Sequence, residues 1–216
     1  DASHIFAPDK RVGYFPAASV GWRLTKERFM DRFLGGILDE LKLRASYGSL
    51  GDDNINSGIN QDDPRFLPEF SYLEGYQYGL NGVSIVNGQA LVVSRDRGVP
   101  VRNVTWFKST ITDVGFDFSL LNGKITGSVD WFYRKRTGLR DFKVDVLLPN
   151  EIGYVLPTEN VNSDAQYGQE MSLFYNGQIG REFKFNVGGN ISYSRSKFLS
   201  SYNPLFFNSL DKYRNS

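Results

Sequence analysis

Period-two alternation of apolar and polar positions dominates the chain. Val12, Tyr14, Ala18, Val20, Trp22 and Leu24 share one parity, opposite Gly13, Phe15, Ala17, Ser19, Gly21 and Arg23. Leu41, Leu43, Ala45 and Tyr47 alternate with Lys42, Arg44, Ser46 and Gly48. Val114, Phe116, Phe118 and Leu120 alternate with Asp113, Gly115, Asp117 and Ser119, and Asn122-Gly123 follows, a pair suited to the positive φ of a type I′ hairpin turn. The return run sets Ile125, Gly127, Val129, Trp131 and Tyr133 against Thr126, Ser128, Asp130, Phe132 and Arg134. Met171, Leu173 and Tyr175 alternate with Ser172, Phe174 and Asn176, and a second turn is predicted around Asn176-Gly177. Beyond it, Phe183, Phe185, Val187, Gly189, Ile191 and Tyr193 form the last apolar series. A side chain on a strand reverses face at each residue, so each series predicts a strand with one apolar and one polar face.

Six strands are therefore expected, at about 12–24, 40–49, 105–121, 124–137, 166–176 and 182–197. Several exceed the five or six residues usual in soluble sheets. Joined without crossover helices, they predict an all-β, antiparallel up-and-down meander. A helical turn is expected at 27–34, within the moderate connection between the first two strands. The other connections alternate in length. Residues 122–123 and 177–181 are short, whereas 50–104 and 138–165 are long and rich in Gly, Asn, Asp and Pro. Short turns at one end and long loops at the other are the pattern of outer-membrane barrels, although a soluble sandwich with two elaborate loops would share it.

Composition narrows the choice. The chain has 216 residues, with 17 Phe, 12 Tyr and 22 Gly, a bias toward strand formers and tight turns. Lys and Arg total 25 against 24 Asp and Glu, so the basic excess of a nucleic-acid binder is missing. Cysteine is absent, which removes disulfides and thiolate metal sites. No apolar run approaches the roughly 18 residues of a membrane-crossing helix. A barrel strand needs only alternate apolar residues, so a mean hydropathy of −0.37 is compatible with one. Asp1-Ala2-Ser3-His4 does not begin like a signal peptide, as expected of an interior piece.

The aromatic residues carry the solvent assignment. Tyr14, Trp22, Tyr47, Trp131, Tyr133, Tyr175 and Tyr193 lie on the apolar faces, several near strand ends. Amphipathic rings favour a membrane–water boundary, so Tyr14, Trp22, Trp131, Tyr133 and Tyr193 are candidate interface aromatics. Ordinary cross-strand packing is the alternative. The polar faces, with Asp113, Asp117, Asp130, Arg134, Glu170, Lys184, Asn186 and Asn190, would then line an enclosed channel.

Several segments resemble the SusC/RagA-type TonB-dependent outer-membrane transporters of Bacteroidota. RVGYFPAASVGWRL (11–24) resembles that family's F-P-A-x-S-x-G-W-R strand, and LKLRASYGSLGDDNI (41–55) its L-K-L-R-A-S-Y-G strand and loop. NVTWFKSTITDVGFDFSLLNGKITGSVDWFYRKRTGL (103–139) is similar to the family's L-T-W-E … N-G-R-L … D-Y-Y block, and VGGNISYSRSK (187–197) resembles a late barrel strand. Phe107 stands where the family usually has Glu, Thr137-Gly138-Leu139 lacks the usual Asp, and 159–170 matches only loosely. The resemblance implies a partial transmembrane barrel over 1–216, out of about 22 strands, with the plug domain absent from this chain. It further implies a SusD-like lipoprotein lid, TonB engagement through an N-terminal region not included here, and import of oligosaccharides or peptides. Outer-membrane lipid and the rest of the barrel would be further partners, and the bacterial outer membrane the location.

Chemistry of other kinds finds little support. Asp52-Asp53-Asn54 and Asp62-Asp63 lack the spacing and distal Glu of a calcium hand. His4 is the sole histidine, so a Ser/His/Asp triad or imidazole metal site has little to draw on, and no nucleotide fingerprint occurs. No catalytic residue, cofactor or metal is expected, which disfavours a barrel hydrolase. In the first long loop, Phe70, Tyr72, Tyr76 and Tyr78 lie near Asn81, Asn87 and Gln89. Tyr72, Tyr76, Tyr78 and Asn81 are the candidate contacts to substrate or lid, since flat rings stack on sugars while amides bond hydroxyls. The same stretch also reads as a hairpin whose rings merely pack. The rival overall reading is a soluble or surface β module that binds a partner through its long loops.

Overall fold

The structure, a computed structural model, describes residues 1–30, 37–56, 59–63, 66–142 and 157–201. Its strands are β1 (Ala17–Arg23), β2 (Leu38–Asp52), β3 (Tyr76–Val86), β4 (Gln89–Asp96), β5 (Phe107–Leu120), β6 (Ile125–Asp141), β7 (Glu159–Ile179) and β8 (Phe183–Ser200). Six of them form one antiparallel sheet in the order β1-β2-β5-β6-β7-β8, while β3 and β4 pair separately. Every neighbour in the large sheet is the next large-sheet strand along the chain, so the meander is continuous. The β3–β4 hairpin projects from the connection between β2 and β5.

Register turns the alternation of each strand into a property of the whole sheet. Trp22, Leu43, Phe116, Val129, Met171 and Ile191 stand side by side across all six strands. The next row runs Val20, Ala45, Val114, Trp131, Gln169 and Tyr193. Directly paired residues point to the same side of a sheet, so one face is apolar from edge to edge. The other carries Arg44, Asp117, Asp130, Arg134 and Asp164.

Boundaries differ from the expected ones where local hydrogen bonding competes with alternation. The first strand begins at Ala17 rather than 12, because Val12 bridges to Ala2 instead and Asp1 and Gly13 exchange backbone bonds of 2.9 and 3.1 Å. Tyr14 therefore lies outside the sheet. Strand β6 runs on to Asp141 and β7 starts at Glu159, so the irregular part of the connection expected at 138–165 is shorter. The extension passes a register shift at Thr137–Leu139, where Gly138 has φ +82°, the left-handed conformation suited to a β-bulge. The second turn is centred on Gly180 (φ +66°); Asn176 and Gly177 remain paired with Asn186 and Phe185. Asn122 and Gly123 do take positive φ, +57° and +77°. A 3₁₀ turn occupies Leu24–Lys26, and the helical turn expected at 27–34 falls partly outside the described residues.

Four glycines of the sheet directly face phenylalanines. Gly127 pairs with Phe118, Gly168 with Phe132, Gly177 with Phe185 and Gly188 with Phe174, and in each pair the ring lies where a Cβ would stand. Gly189 has open space instead, so close packing explains only the first of the Gly188-Gly189 pair.

The small hydrophobic core lies at the long-loop end rather than under the sheet. Phe6, Ile55, Leu67 and Val104 form it, with Ile5, Val101 and Trp106 at its margin. The chain's first residues are thereby fastened to the loop that follows β2. Phe15 closes the joint, its ring 5.2 Å from that of Trp106 and lying over Gly51.

Candidate functional site: a polar wall and a loop cap

The two faces of the sheet are enclosed in the wrong order for a water-soluble protein. Val114 and Trp131 on the apolar face keep 50% and 46% of their surface accessible. On the polar face, the Asp130 and Asp164 side chains keep 21% and 15%, and their partners Arg44 and Arg136 keep 36% and 43%. Soluble sheets bury the apolar face against a second layer. Here paired carboxylates on the charged face are more sheltered than the apolar side chains opposite.

Charges on that face are matched across strands. The Arg44 Nη2 on β2 donates to Asp117 on β5 at 2.8 Å and to both carboxylate oxygens of Asp130 on β6 at 3.0 and 3.2 Å. Higher up, Arg134 donates to Gln166 at 2.5 Å and Arg136 forms a two-nitrogen pair with Asp164. Ser128 and Ser172 share a hydrogen bond of 2.8 Å. Asp117, Asp130 and Arg134 are identifiable from sequence as polar-face residues. Their pairing with Arg44 and Gln166 is set by register between strands up to 86 residues apart and leaves no local signal.

Asparagines anchor the loop cap. Asn56 accepts from the Leu67 N–H at 3.0 Å and donates to its carbonyl at 2.7 Å, an amide standing in for a paired strand. Asn160 does the same to Thr105, at 3.0 and 3.2 Å, and also donates to the Gly138 carbonyl at 2.6 Å. Neither is distinguishable in sequence from ordinary loop polarity.

The candidate loop residues divide. Tyr72 is 6% exposed, and its hydroxyl accepts a 2.8 Å hydrogen bond from Arg11, so it is a packing residue rather than a free contact. Tyr76 and Tyr78, on β3, are 64% and 77% exposed. Asn81 is also on β3, with its side chain outside the described set. Phe70 stacks near His4, ring centres 5.7 Å apart. The β3–β4 turn is Asn87-Gly88, both at positive φ.

Of the interface aromatics, Tyr133 stands in one row with Tyr47 and, one strand further, Tyr167, which sequence analysis did not single out. Tyr193 lies one step lower beside Gln169, and Trp131 is likewise one step below Tyr133. Trp22 stands one step below Trp131, in the row of Val129, and its indole N–H donates to Glu27 at 2.9 Å. Tyr14 lies off the sheet and shares no row with the other four. Among the described residues no group of three acidic, histidine or cysteine side chains is placed to hold a metal ion.

No family model matches the chain. It is 29% identical over 199 residues to the TonB-dependent receptor SusC of Bacteroides thetaiotaomicron, an alignment covering 91% of this chain and 18% of that protein. It is 28% identical over 173 residues to the TonB-dependent receptor P26 of Formosa agariphila, covering 80% of this chain and 16% of the relative. The chain thus spans less than a fifth of the length of these relatives. Its fold superimposes on the RagAB peptide importer in the closed-closed state with a TM-score of 0.69, 17% identity and 94% of this chain covered against 20% of the other. The open-open state gives the same TM-score at 16% identity, with 95% and 20% covered. Sequence, strand order and the exposure of the two faces agree: the chain is similar to one stretch of the barrel of SusC/RagA-type TonB-dependent receptors, proteins of the bacterial outer membrane.

Proposed function

We propose that the chain supplies six strands and the associated outer loops of a TonB-energised importer that takes up oligosaccharides or peptides. The carrying observation is the inverted enclosure: an apolar face continuous across six strands and open, behind which ion pairs are sheltered. In hydrocarbon every backbone polar group needs a partner, which a closed barrel supplies and an open sheet does not. The remaining strands and a plug, contributed by the rest of the polypeptide, would complete the wall. On β7, the stretch from Tyr167 to Ile179 at about 3.4 Å per residue and a tilt of about 40° rises about 30 Å, enough for an apolar band of about 25 Å with its girdles.

In this reading no residue performs bond chemistry. Arg44, Asp117 and Asp130 line the lumen, the loops face outward, and Tyr76, Tyr78 and Asn81 on the β3–β4 hairpin meet cargo or a SusD-like lid. The relatives' names, TonB-dependent receptor and peptide importer, support energised uptake.

The test uses the full-length transporter in outer-membrane vesicles, with nitroxide labels at single cysteines replacing residues 113, 114, 128, 129, 190 and 191. Oxygen, which partitions into lipid, is expected to relax labels at 114, 129 and 191, and a water-soluble nickel chelate those at 113, 128 and 190. Equal accessibility of the two members of each neighbouring pair (113 and 114, 128 and 129, 190 and 191) refutes the lumen-and-lipid assignment. Growth of a strain lacking the gene on peptides or on oligosaccharides then selects the cargo class, and a protonophore is expected to stop uptake.

A further inference from the structure

Charges on the two faces obey different rules. Those on the polar face are mixed in sign, and Arg44 and Arg136 are paired with aspartates on neighbouring strands. On the apolar face, the positions in and just beyond the row of Tyr47, Tyr133 and Tyr167 carry charge of one sign only. Lys135 follows Tyr133 by one outward step on β6, and Lys108 stands opposite Thr137. Arg195 pairs with Tyr167, and Lys197, one outward step further, extends its ammonium over the Tyr167 ring at 5.6 Å. All four are exposed. No Asp or Glu shares these outward positions.

We propose that Lys108, Lys135, Arg195 and Lys197 form a cationic collar that binds the phosphate groups of lipid headgroups in the outer leaflet. The inference rests on the outward orientation of the long loops in the proposed function. Three observations select this occupant. The collar borders the open apolar band: Arg195 stands in the bordering row of tyrosines and Lys108, Lys135 and Lys197 lie beyond it, at the depth where headgroups begin. Its residues are mostly lysines, whose long apolar stems run along the band while the ammonium groups reach the polar layer. Strands about 4.8 Å apart place Lys135 and Lys197, two strands from each other, about 10 Å apart. Such spacing leaves mutual repulsion only partly screened and calls for an anion between them. A protein surface would call for charges of both signs, whereas these four positions carry one.

The experiment compares the full-length transporter with a variant carrying Lys108→Gln, Lys135→Gln, Arg195→Gln and Lys197→Gln. Both are incorporated into nanodiscs of a zwitterionic phospholipid, and the probe is a phosphorylated outer-membrane glycolipid or the same glycolipid after enzymatic removal of its phosphates. Retention of glycolipid after washing is expected to fall at least about tenfold in the variant for the phosphorylated probe. For the dephosphorylated probe, the two proteins should retain the same low amount. A Lys135→Arg, Lys197→Arg protein keeps the charges and should retain the wild-type level, while Lys135→Gln, Lys197→Gln alone should fall part of the way. Equal retention of both probes by the wild type, or no loss in either glutamine variant, overturns the collar. Brominated acyl chains, read as the quenching difference between wild type and Trp131→Phe, separate the two failures. Quenching without phosphate selectivity defeats the collar alone, whereas absent quenching defeats the barrel-wall reading on which it rests.

Discussion

Arg44 and Asp130 meet across an intervening strand, over a residue that has no side chain. Gly115 of β5 stands directly between them in the ladder, and an oxygen of Asp130 lies where its Cβ would be. Glycine here is the opening through which a β2 cation reaches a β6 anion. Gly115→Ala is expected to push Asp130 aside and destabilise the transporter by about 1–3 kcal/mol, as overpacking does. Arg44→Met leaves Asp117 and Asp130 facing each other without their shared cation and should cost more than Asp130→Asn. Urea unfolding of the full-length protein in lipid, followed by tryptophan fluorescence, measures all three; an Arg44→Met cost no greater than that of Asp130→Asn contradicts the shared-cation account.

Asn160 offers a sharper separation of stability from local order. Replacing it with alanine removes both bonds to Thr105 and the one to Gly138, leaving partly buried backbone groups unsatisfied. A loss of about 1–3 kcal/mol is expected. The loop around 99–106 should also become cleavable by protease added to intact cells, with the strands still protected. Unchanged cleavage would show that the Val104 and Trp106 packing holds this loop alone.

The two faces should respond oppositely to one substitution. Val114→Arg sets a guanidinium in the open apolar row and is expected to cost about 2–4 kcal/mol if that row lies near the bilayer midplane. Ser128→Arg, on the sheltered face, should be far better tolerated and alter single-channel conductance instead. Outer-membrane yield and planar-bilayer recordings distinguish the two, and comparable losses of yield would argue against lipid on the apolar side.

On the loop cap, Tyr72→Phe removes a hydroxyl that Arg11 uses, and about 1 kcal/mol of loop stability should go with it. Tyr76→Ala and Tyr78→Ala, both exposed, are expected to change stability by less than about 0.5 kcal/mol. If the hairpin meets cargo or lid, these two reduce uptake while Tyr72→Phe does not, as initial-rate measurements on cells would show.

Strands were legible because the alternation is the fold's own physical requirement: Leu41 to Tyr47 reads as a strand in isolation and is one. The ends were not, because they depend on partners. Val12 continues the pattern yet pairs with Ala2, and the polar run from Glu159 looks like loop yet pairs with β6 across the Gly138 bulge. Turn chemistry misled once, since Asn176-Gly177 has the composition of a turn but its glycine is covered by the Phe185 ring. The candidate site was legible only as a list of polar-face residues; that Arg44 joins Asp117 to Asp130 follows from register alone. Tyr72 shows the reverse failure, an aromatic whose position in a polar loop suggested display and whose neighbours bury it.

The glycines that face phenylalanines carry a consequence for how this wall can change over time. A larger residue at Gly177 would evict the ring of Phe185, and a smaller one in place of that ring would open a hole beside a bare backbone, whereas at Gly168 and Gly188 the backbone carbonyls of Tyr193 and Leu173 also bar a side chain. Neither member can drift alone without cost. Related sequences should therefore exchange positions 177 and 185 as a couple, small with large, while 168 and 188 stay glycine.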